Sequence, residues 1–499
     1  MVNTVAQYIR TGANVILVLI ATRLILRALG ESDFGIYSLV AGVVSMMSYF
    51  TNALTTTTQR YLSYNQGSDN IEIRRSYFLN SVAIHILLGI AFIIILLLCI
   101  PLLFNGFLNI AYNRLPDAII VYCSMIAMLF IALLSSPFRA VLISHENIVY
   151  ISIIDVLDGV LKMTIGLILL SFNGNRLVFY AFLMIVVSVI NILCYGIYCV
   201  SKYDDCKKLK FRMLDKCRSK ELTSFASWTI YGTLCLFGRV QGIALVLNKF
   251  FSTVVNASYG ISLQVNAALG TISGALQTAL APQLIQAEGN HNRPLMLRLS
   301  EIGCKMSFIL LSLVAFPILF NISHILTLWL GEIPEYCGLF CTVLIISNLF
   351  DQLTVGFNST MNAVGRIRNF MIVVNTIKLS TVLIMALLLY IGLNIYIAFY
   401  SYVFIEVLGC ILRIYFCKKN AGLNVYQYCK NVLLRLIVPT LFIIVAYWLG
   451  TYTSFNAILF TAEVVLISTS FLFLTFKMGL CNDERQIAGN FIHKIIKKR

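Results

Sequence analysis

Apolar residues run through this chain in long blocks broken by short polar, Gly or Pro stretches, and a block such as Ala83 to Leu103 shows no two-residue alternation. Blocks longer than ~18 residues are the signature of helices that cross a hydrocarbon layer about 30 Å thick. Reading them against the polar punctuation predicts spans at 6–29, 34–57, 77–104, 117–142, 149–171, 176–200, 223–249, 255–284, 300–322, 336–361, 369–391, 394–416, 432–450 and 455–476. Lipid offers no partner to backbone N–H and C=O groups, so segments without strand alternation must be helices. The expected fold is an all-α integral membrane protein of about fourteen transmembrane helices.

Composition agrees with the pattern. Of 499 residues, 59% are hydrophobic and only 12% charged, with a mean hydropathy of +0.88, which excludes a protein with a fully water-exposed surface. The first block contains Arg23 and Arg27 and meets no small-residue cleavage site before Glu31 to Asp33, so it is expected to remain as the first span.

Charge then orients the helices. Basic residues gather on alternate connectors: Arg60, Arg74 and Arg75; Arg139; the run from Lys202 to Lys220; Arg293 and Arg298; Arg366 and Arg368; Arg413 to Lys430; and the tail from Lys477. The opposite connectors carry Glu31, Asp33, Glu332 and Glu335, so both termini are expected to face the cytoplasm. Most of the net charge of +16 is therefore a topology signal and an attraction to anionic membrane lipids, and no nucleic-acid partner is needed to explain it. The tail Phe491 to Arg499 reads as a basic amphipathic segment on the inner leaflet.

The hydrophilic connector Ser201 to Leu222 divides the chain. It suggests an N-terminal lobe of six spans (1–200), a basic connector (201–222), a second lobe of six (223–416), two further spans (417–477) and a basic tail (478–499). A weak internal echo accompanies this division, Asn52 to Gly67 aligning with Gly274 to Gly289 through the pairs Ala53/Ala275, Leu54/Leu276, Thr56/Thr278, Leu62/Leu284 and Gly67/Gly289. Parallel repeats of this kind build transporters that rock two bundles about a central site.

Enzyme signatures are missing. The sequence has no GxxxxGK[ST] loop, no HExxH and no G-x-S-x-G elbow, and the 14 cysteines show no CxxC spacing. Cys337 and Cys341, one helical turn apart, read as small packing residues, so neither a metal nor another cofactor is expected. A non-enzymatic transporter remains.

Ionisable groups inside the spans narrow its substrate. Each costs at least ~2.5–3.5 kcal/mol near mid-bilayer on insertion scales, so one retained there marks a cavity, a pair or a functional site. Arg23, Arg27, Lys162, Arg239 and Lys378 are such cations, while Lys249 and Lys305, near span ends, read as interfacial anchors. Cations converging on one low-dielectric chamber would repel one another until an anion arrives, which points to a ligand with phosphate groups. Arg23, Arg27, Arg239 and Lys378, with Asn52, Gln59, Arg60 and Gln241 as polar neighbours, are the expected substrate site. Asp155, Asp158 and Lys162 share one helix face, either as a neutralised network or as a proton or Na⁺ relay. Asp351 and Glu406, with Lys378, form a charge pair or a coupling site.

The order of motifs resembles the Wzx-type polysaccharide (O-antigen or capsule repeat-unit) flippases of the multidrug/oligosaccharidyl-lipid/polysaccharide exporter superfamily. The likeness lies in Ala21-Thr22-Arg23-Leu24 to Leu29-Gly30 with Asp33-Phe34-Gly35-Ile36-Tyr37, Asn52-Ala53-Leu54 to Gln59-Arg60-Tyr61, Ser136-Pro137-Phe138-Arg139-Ala140, Ala281-Pro282-Gln283-Leu284, and Leu328-Trp329-Leu330-Gly331. It implies two six-helix lobes around a central cationic cavity, alternating access, and export of an undecaprenyl-diphosphate-linked glycan, with H⁺ or Na⁺ as coupling ion and a polysaccharide polymerase as partner. It carries the basic residues of the first helix onto Arg23 and Arg27. The two last spans look similar to those that form a lipid-tail groove in peptidoglycan-precursor flippases. Three rivals stand beside this reading: such a precursor flippase, a drug/cation antiporter of the same fold, which should have an acidic cavity, and a membrane glycosyltransferase or polymerase, which would need a larger catalytic loop.

Overall fold

A computed structural model describes residues 2–45, 47–66, 70–104, 110, 112–251, 253–450 and 457–486. Among them there are helices and no strand. Fifteen longer helices organise the described residues: α1 Val2–Ser45, α2 Ser48–Gln66, α3 Ile71–Leu98, α4 Leu115–Ser144, α5 Ile148–Ser171, α6 Arg176–Lys202, α7 Lys216–Phe250 and α8 Thr253–Gly289. The rest are α9 Arg293–Phe320, α10 Ile322–Leu330, α11 Cys337–Val364, α12 Arg368–Tyr390, α13 Ile395–Ala421, α14 Val425–Gly450 and α15 Ala457–Leu474. Among the described residues, ten helices are long and apolar enough to cross a membrane. The other expected spans, 6–29, 34–57, 149–171 and 255–284, fall on α1, on α1 with α2, on α5 and on α8; three charges between Asp155 and Lys162 interrupt the apolar run of α5, and polar side chains dilute those of α2 and α8. The chain is an all-helical, multi-pass membrane protein.

Local chemistry explains where the helices begin and end. Asparagine side chains cap six of them: Asn70, Asn147, Asn175, Asn292, Asn394 and Asn424 accept backbone N–H groups at 3.2–3.3 Å. Each cap satisfies one of the donors that a helix start leaves open. Gly365 and Gly422 close α11 and α13 in the left-handed conformation, where a Cβ would strain the backbone. At Gly30 (φ 78°) helical geometry breaks inside α1, so two helical segments run under one label. The expected span 34–57 is interrupted at Met47, and its second part continues as α2 to Gln66.

The chain divides into two compact units, Met1–Thr233 and Leu234–Arg499. In the first, the core gathers around α4, where Ala118, Val121, Tyr122 and Leu133 are fully enclosed and the Tyr122 hydroxyl donates to the Leu96 carbonyl at 2.9 Å. The connector 201–222 packs within this unit. Arg75 donates to the Asp204 carbonyl (2.8 Å), Ser76 to that of Met213 (2.7 Å), and Asn80 accepts from the Asp215 backbone (3.1 Å) and the Ser219 hydroxyl (2.7 Å). Arg74 lies 2.8 Å from the buried Asp205, which also bonds His145. These bonds, made by residues of α3, draw the connector into the first unit, and α7 starts at Lys216 instead of 223.

In the second unit α11 packs against α8, α9 and α13, around Tyr259, Phe340, Val343 and Phe399, with the last pair of rings, Phe340 and Phe399, stacked at 4.1 Å. Large side chains such as Leu87, Leu98, Leu245, Leu383 and Phe404 remain exposed on the outer faces, where lipid tails would solvate them. The cysteines are free, and Cys337 and Cys341 pack with Leu326 in a small apolar cluster. The tail Phe491 to Arg499, the connector Thr451 to Ser454 and Gly67 of the internal echo lie outside the described residues.

One contact sets how closely two core helices approach. A Cβ on Gly356 of α11 would collide with the Ser300 carbonyl of α9 and crowd the Cys304 sulfur. Gly356→Ala should therefore cost about 1–3 kcal/mol through overpacking. Thermal unfolding of the detergent-purified variant checks this, and an unchanged midpoint would show that the two backbones can part.

Candidate functional site

Charge burial is most concentrated in the second unit. Glu406 on α13 accepts from Arg239 of α7 at 2.8 Å and from Lys378 of α12. Lys378 also donates to Asp351 of α11 at 2.9 Å, and Asp351 takes a second cation, Arg413, at 2.8 Å. Four helices thus meet at five charges, of which Arg239, Lys378, Glu406 and Arg413 are buried and Asp351 is part-exposed. The Arg239 guanidinium lies 3.6 Å above the Tyr402 ring centroid, which supplies a π face where no further acceptor stands among the described residues. Gly409 leaves room beside the Lys378 stem.

The sequence reading anticipated Arg239, Lys378, Asp351 and Glu406 and missed Arg413, which it counted among cytoplasmic residues. Arg413 lies inside α13 and bonds Thr354 at 3.3 Å as well as Asp351. Its signal was spacing: Tyr402, Glu406, Gly409 and Arg413 follow one another at helical repeats on a single face. Lys305, expected at an interface, is fully buried on α9 and bonds Glu484 at 2.8 Å. The carboxylate that draws it in comes from the segment after α15, and its neighbours Arg298, Asp483 and Glu301 extend the network. Asp483 lies outside the spans; burial raises its carboxyl, but Arg298 outweighs this and holds it below the ordinary value.

In the first unit the expected residues are placed differently. Arg23 and Arg27 are exposed on α1, one turn apart, and form no ion pair with a described residue. Asn52 on α2 and Gln241 on α7 of the second unit are exposed, while Gln59 is buried. Arg60 is also buried, its guanidinium 4.5 Å from the Tyr61 ring centroid and 4.9 Å from that of Phe225. The acidic pair of α5 is locally neutralised: Asp158 bonds Lys162 at 2.7 Å and Asn191 at 2.8 Å, and Asp155 lies 3.5 Å from Arg139. Arg239 and Lys378 sit in the other unit, interlocked with carboxylates, so the expected cations form two chemically different groups.

An apolar cavity of about 620 Å³ opens between α9, α11 and α14, lined by residues such as Phe308, Phe316, Ile346, Phe350, Ile437 and Leu441. Among the described residues that line it, only Thr342 and Thr440 are polar.

No protein-family model matches the chain, and no curated protein matches it. Solved structures do. An outward-facing multidrug resistance MATE family transporter of the MOP superfamily aligns over 84% of this chain and 94% of its own, with a TM-score of 0.72 at 12% identity. The fold is the MATE transporter fold. A MOP superfamily transporter from Pyrococcus furiosus, described as having a binding pocket of reversed polarity that suggests a different function, aligns over the same shares with a TM-score of 0.71 at 13% identity. The MATE transporter ClbM in complex with Rb⁺ covers 83% of this chain and 93% of its own, with a TM-score of 0.68 at 13% identity. Identities this low carry the MATE fold and leave the chemistry of the site to be argued from its residues.

The Lys305–Glu484 pair offers a direct check on the energetics. Removing one partner strands a buried charge, so Lys305→Met should cost about 3–5 kcal/mol. Lys305→Met combined with Glu484→Leu should recover most of that loss in thermal unfolding, and equal losses in the single and double variants would contradict the pairing. The Asp483 contribution, half exposed and screened, should be present above the ordinary carboxylate range and vanish as pH falls through its lowered value.

Proposed function

We propose that this protein is a membrane transporter working by alternating access, and that its substrate is an anionic amphiphile of the lipid-linked oligosaccharide class, an undecaprenyl-diphosphate-linked glycan. The observation that carries this reading is the apolar cavity of about 620 Å³ against α14, within the size range of ~300–1,000 Å³ usual for ligand sites. A polyprenyl tail could lie among its phenylalanine, leucine and isoleucine side chains. Arg23 and Arg27, exposed without ion pairs to described residues, are suited to a diphosphate. The protein would then work in a bacterial inner membrane with both termini cytoplasmic, using H⁺ or Na⁺, beside a polysaccharide polymerase. A peptidoglycan precursor carries the same diphosphate and polyprenyl chemistry and belongs to the same reading.

A drug/cation antiporter is the second reading, and the solved structures by themselves support it better, since one is a multidrug resistance transporter and another binds Rb⁺. The charges of this chain support the first. In the described spans Asp155, Asp158, Asp351 and Glu406 each face a cation, which leaves those four poorly suited to hold a cationic drug, while Glu463 of α15 forms no ion pair with a described residue.

Reconstituted protein should translocate a fluorescent undecaprenyl-diphosphate oligosaccharide in proteoliposomes. Arg23→Ala with Arg27→Ala should slow this at least tenfold, and Leu441→Trp, which fills the cavity, should slow it as well. Efflux of quaternary ammonium dyes against a Na⁺ or H⁺ gradient, with no lipid translocation, would overturn the proposal in favour of the antiporter.

A further inference from the structure

The charge cluster of the second unit is unbalanced. Arg239, Lys378 and Arg413 bring three positive charges, and Asp351 and Glu406 return two negative ones. Tyr402 and Tyr259 add only neutral phenols. One positive charge is left over in a region from which water is largely withdrawn, where an uncompensated ion is costly.

Hydrogen bonding shows the same imbalance. Arg239 Nε and Nη2 and Arg413 Nε are buried and have no acceptor among the described residues, and the hydroxyl of the buried Tyr259 is also unpartnered. Arg239 is 3% exposed, so bulk water does not meet its free nitrogens. Guanidinium groups cannot shed their protons to relieve the excess. The site is donor-rich, acceptor-poor and short of one negative charge.

We propose that this cluster binds one compact monoanion, held by the free Nε and Nη2 of Arg239 with the charges of Lys378 and Arg413 behind it. The count sets the ligand class. A single negative charge completes the balance, whereas a doubly charged group would reverse it. The shared chemistry is a monoanionic acceptor, supplied either by a free halide or by one ester phosphate of a larger molecule.

Melting of the full-length protein in nanodiscs tests this at constant ionic strength, with sodium bromide, sodium chloride or sodium dimethyl phosphate replacing sodium gluconate. A ligand that binds the native state raises the midpoint in a saturable way. The expected result is such a rise for the wild type and none for Lys378→Met, whose remaining pairs Arg239–Glu406 and Arg413–Asp351 are balanced. Arg239→Lys keeps the charge but removes the free guanidinium donors, and should weaken the half-saturating concentration at least tenfold. This second variant decides the matter should Lys378→Met fail to fold. A rise with halides identifies a free anion, and a rise with dimethyl phosphate alone identifies a phosphate ester. No saturable rise with any of the three salts would overturn the proposal, as would a full rise in Lys378→Met or an unchanged half-saturation in Arg239→Lys. The measurement uses no transported substrate, so its failure is separate from failure of the flippase reading.

Discussion

A hydrocarbon layer gives an ionised side chain no partner of its own, and this constraint shapes both units of the protein. Every charge kept inside a span must find an opposite charge, a π face or a watery surface. Lys305 finds Glu484, Asp158 finds Lys162, and Arg60 finds the rings of Tyr61 and Phe225. Arg23 and Arg27 stay exposed. The helices around the Arg239 cluster are held in register by the same demand, because α7, α11, α12 and α13 each contribute a group that another needs.

Such pairs add little net stability compared with apolar packing, since removing ions from water costs about what their attraction returns. Their effect is specificity of arrangement. Between helices in lipid, close contact and hydrogen bonding decide the geometry, and Gly356 against Ser300 shows how one missing side chain lets two backbones meet. The Lys305–Glu484 pair does comparable work about one turn further along α9. It fastens the segment after α15 to α9, and Asn431 of α14 reaches Glu301 nearby at 3.4 Å, so the helix that walls the apolar cavity is tied to the same group of charges.

The MATE fold and the site chemistry speak to different questions. A shared fold at 12–13% identity describes how helices are arranged, and one structure with this fold is itself described as having reversed pocket polarity. The chemistry of the site follows from the side chains of this chain: cations in excess, most span carboxylates paired, and an apolar cavity beside α14. Those features are what the proposed reading, an anionic and lipid-tethered substrate, rests on.

Hydropathy alone determined that this is a helical membrane protein, where most spans lie, and which buried charges deserved notice, because bilayer insertion is read from local composition over about twenty residues. It also placed Asp351, Lys378 and Glu406 as candidates for one site. Only the tertiary structure decided which of these charges meet, since partners such as Arg239 and Glu406, or Lys305 and Glu484, are separated by well over a hundred residues. Arg413 was misplaced and Lys305 misjudged for the same reason. A charge near the end of an apolar block looks like a surface anchor until a distant carboxylate is seen to fold back onto it, and no local pattern records that return.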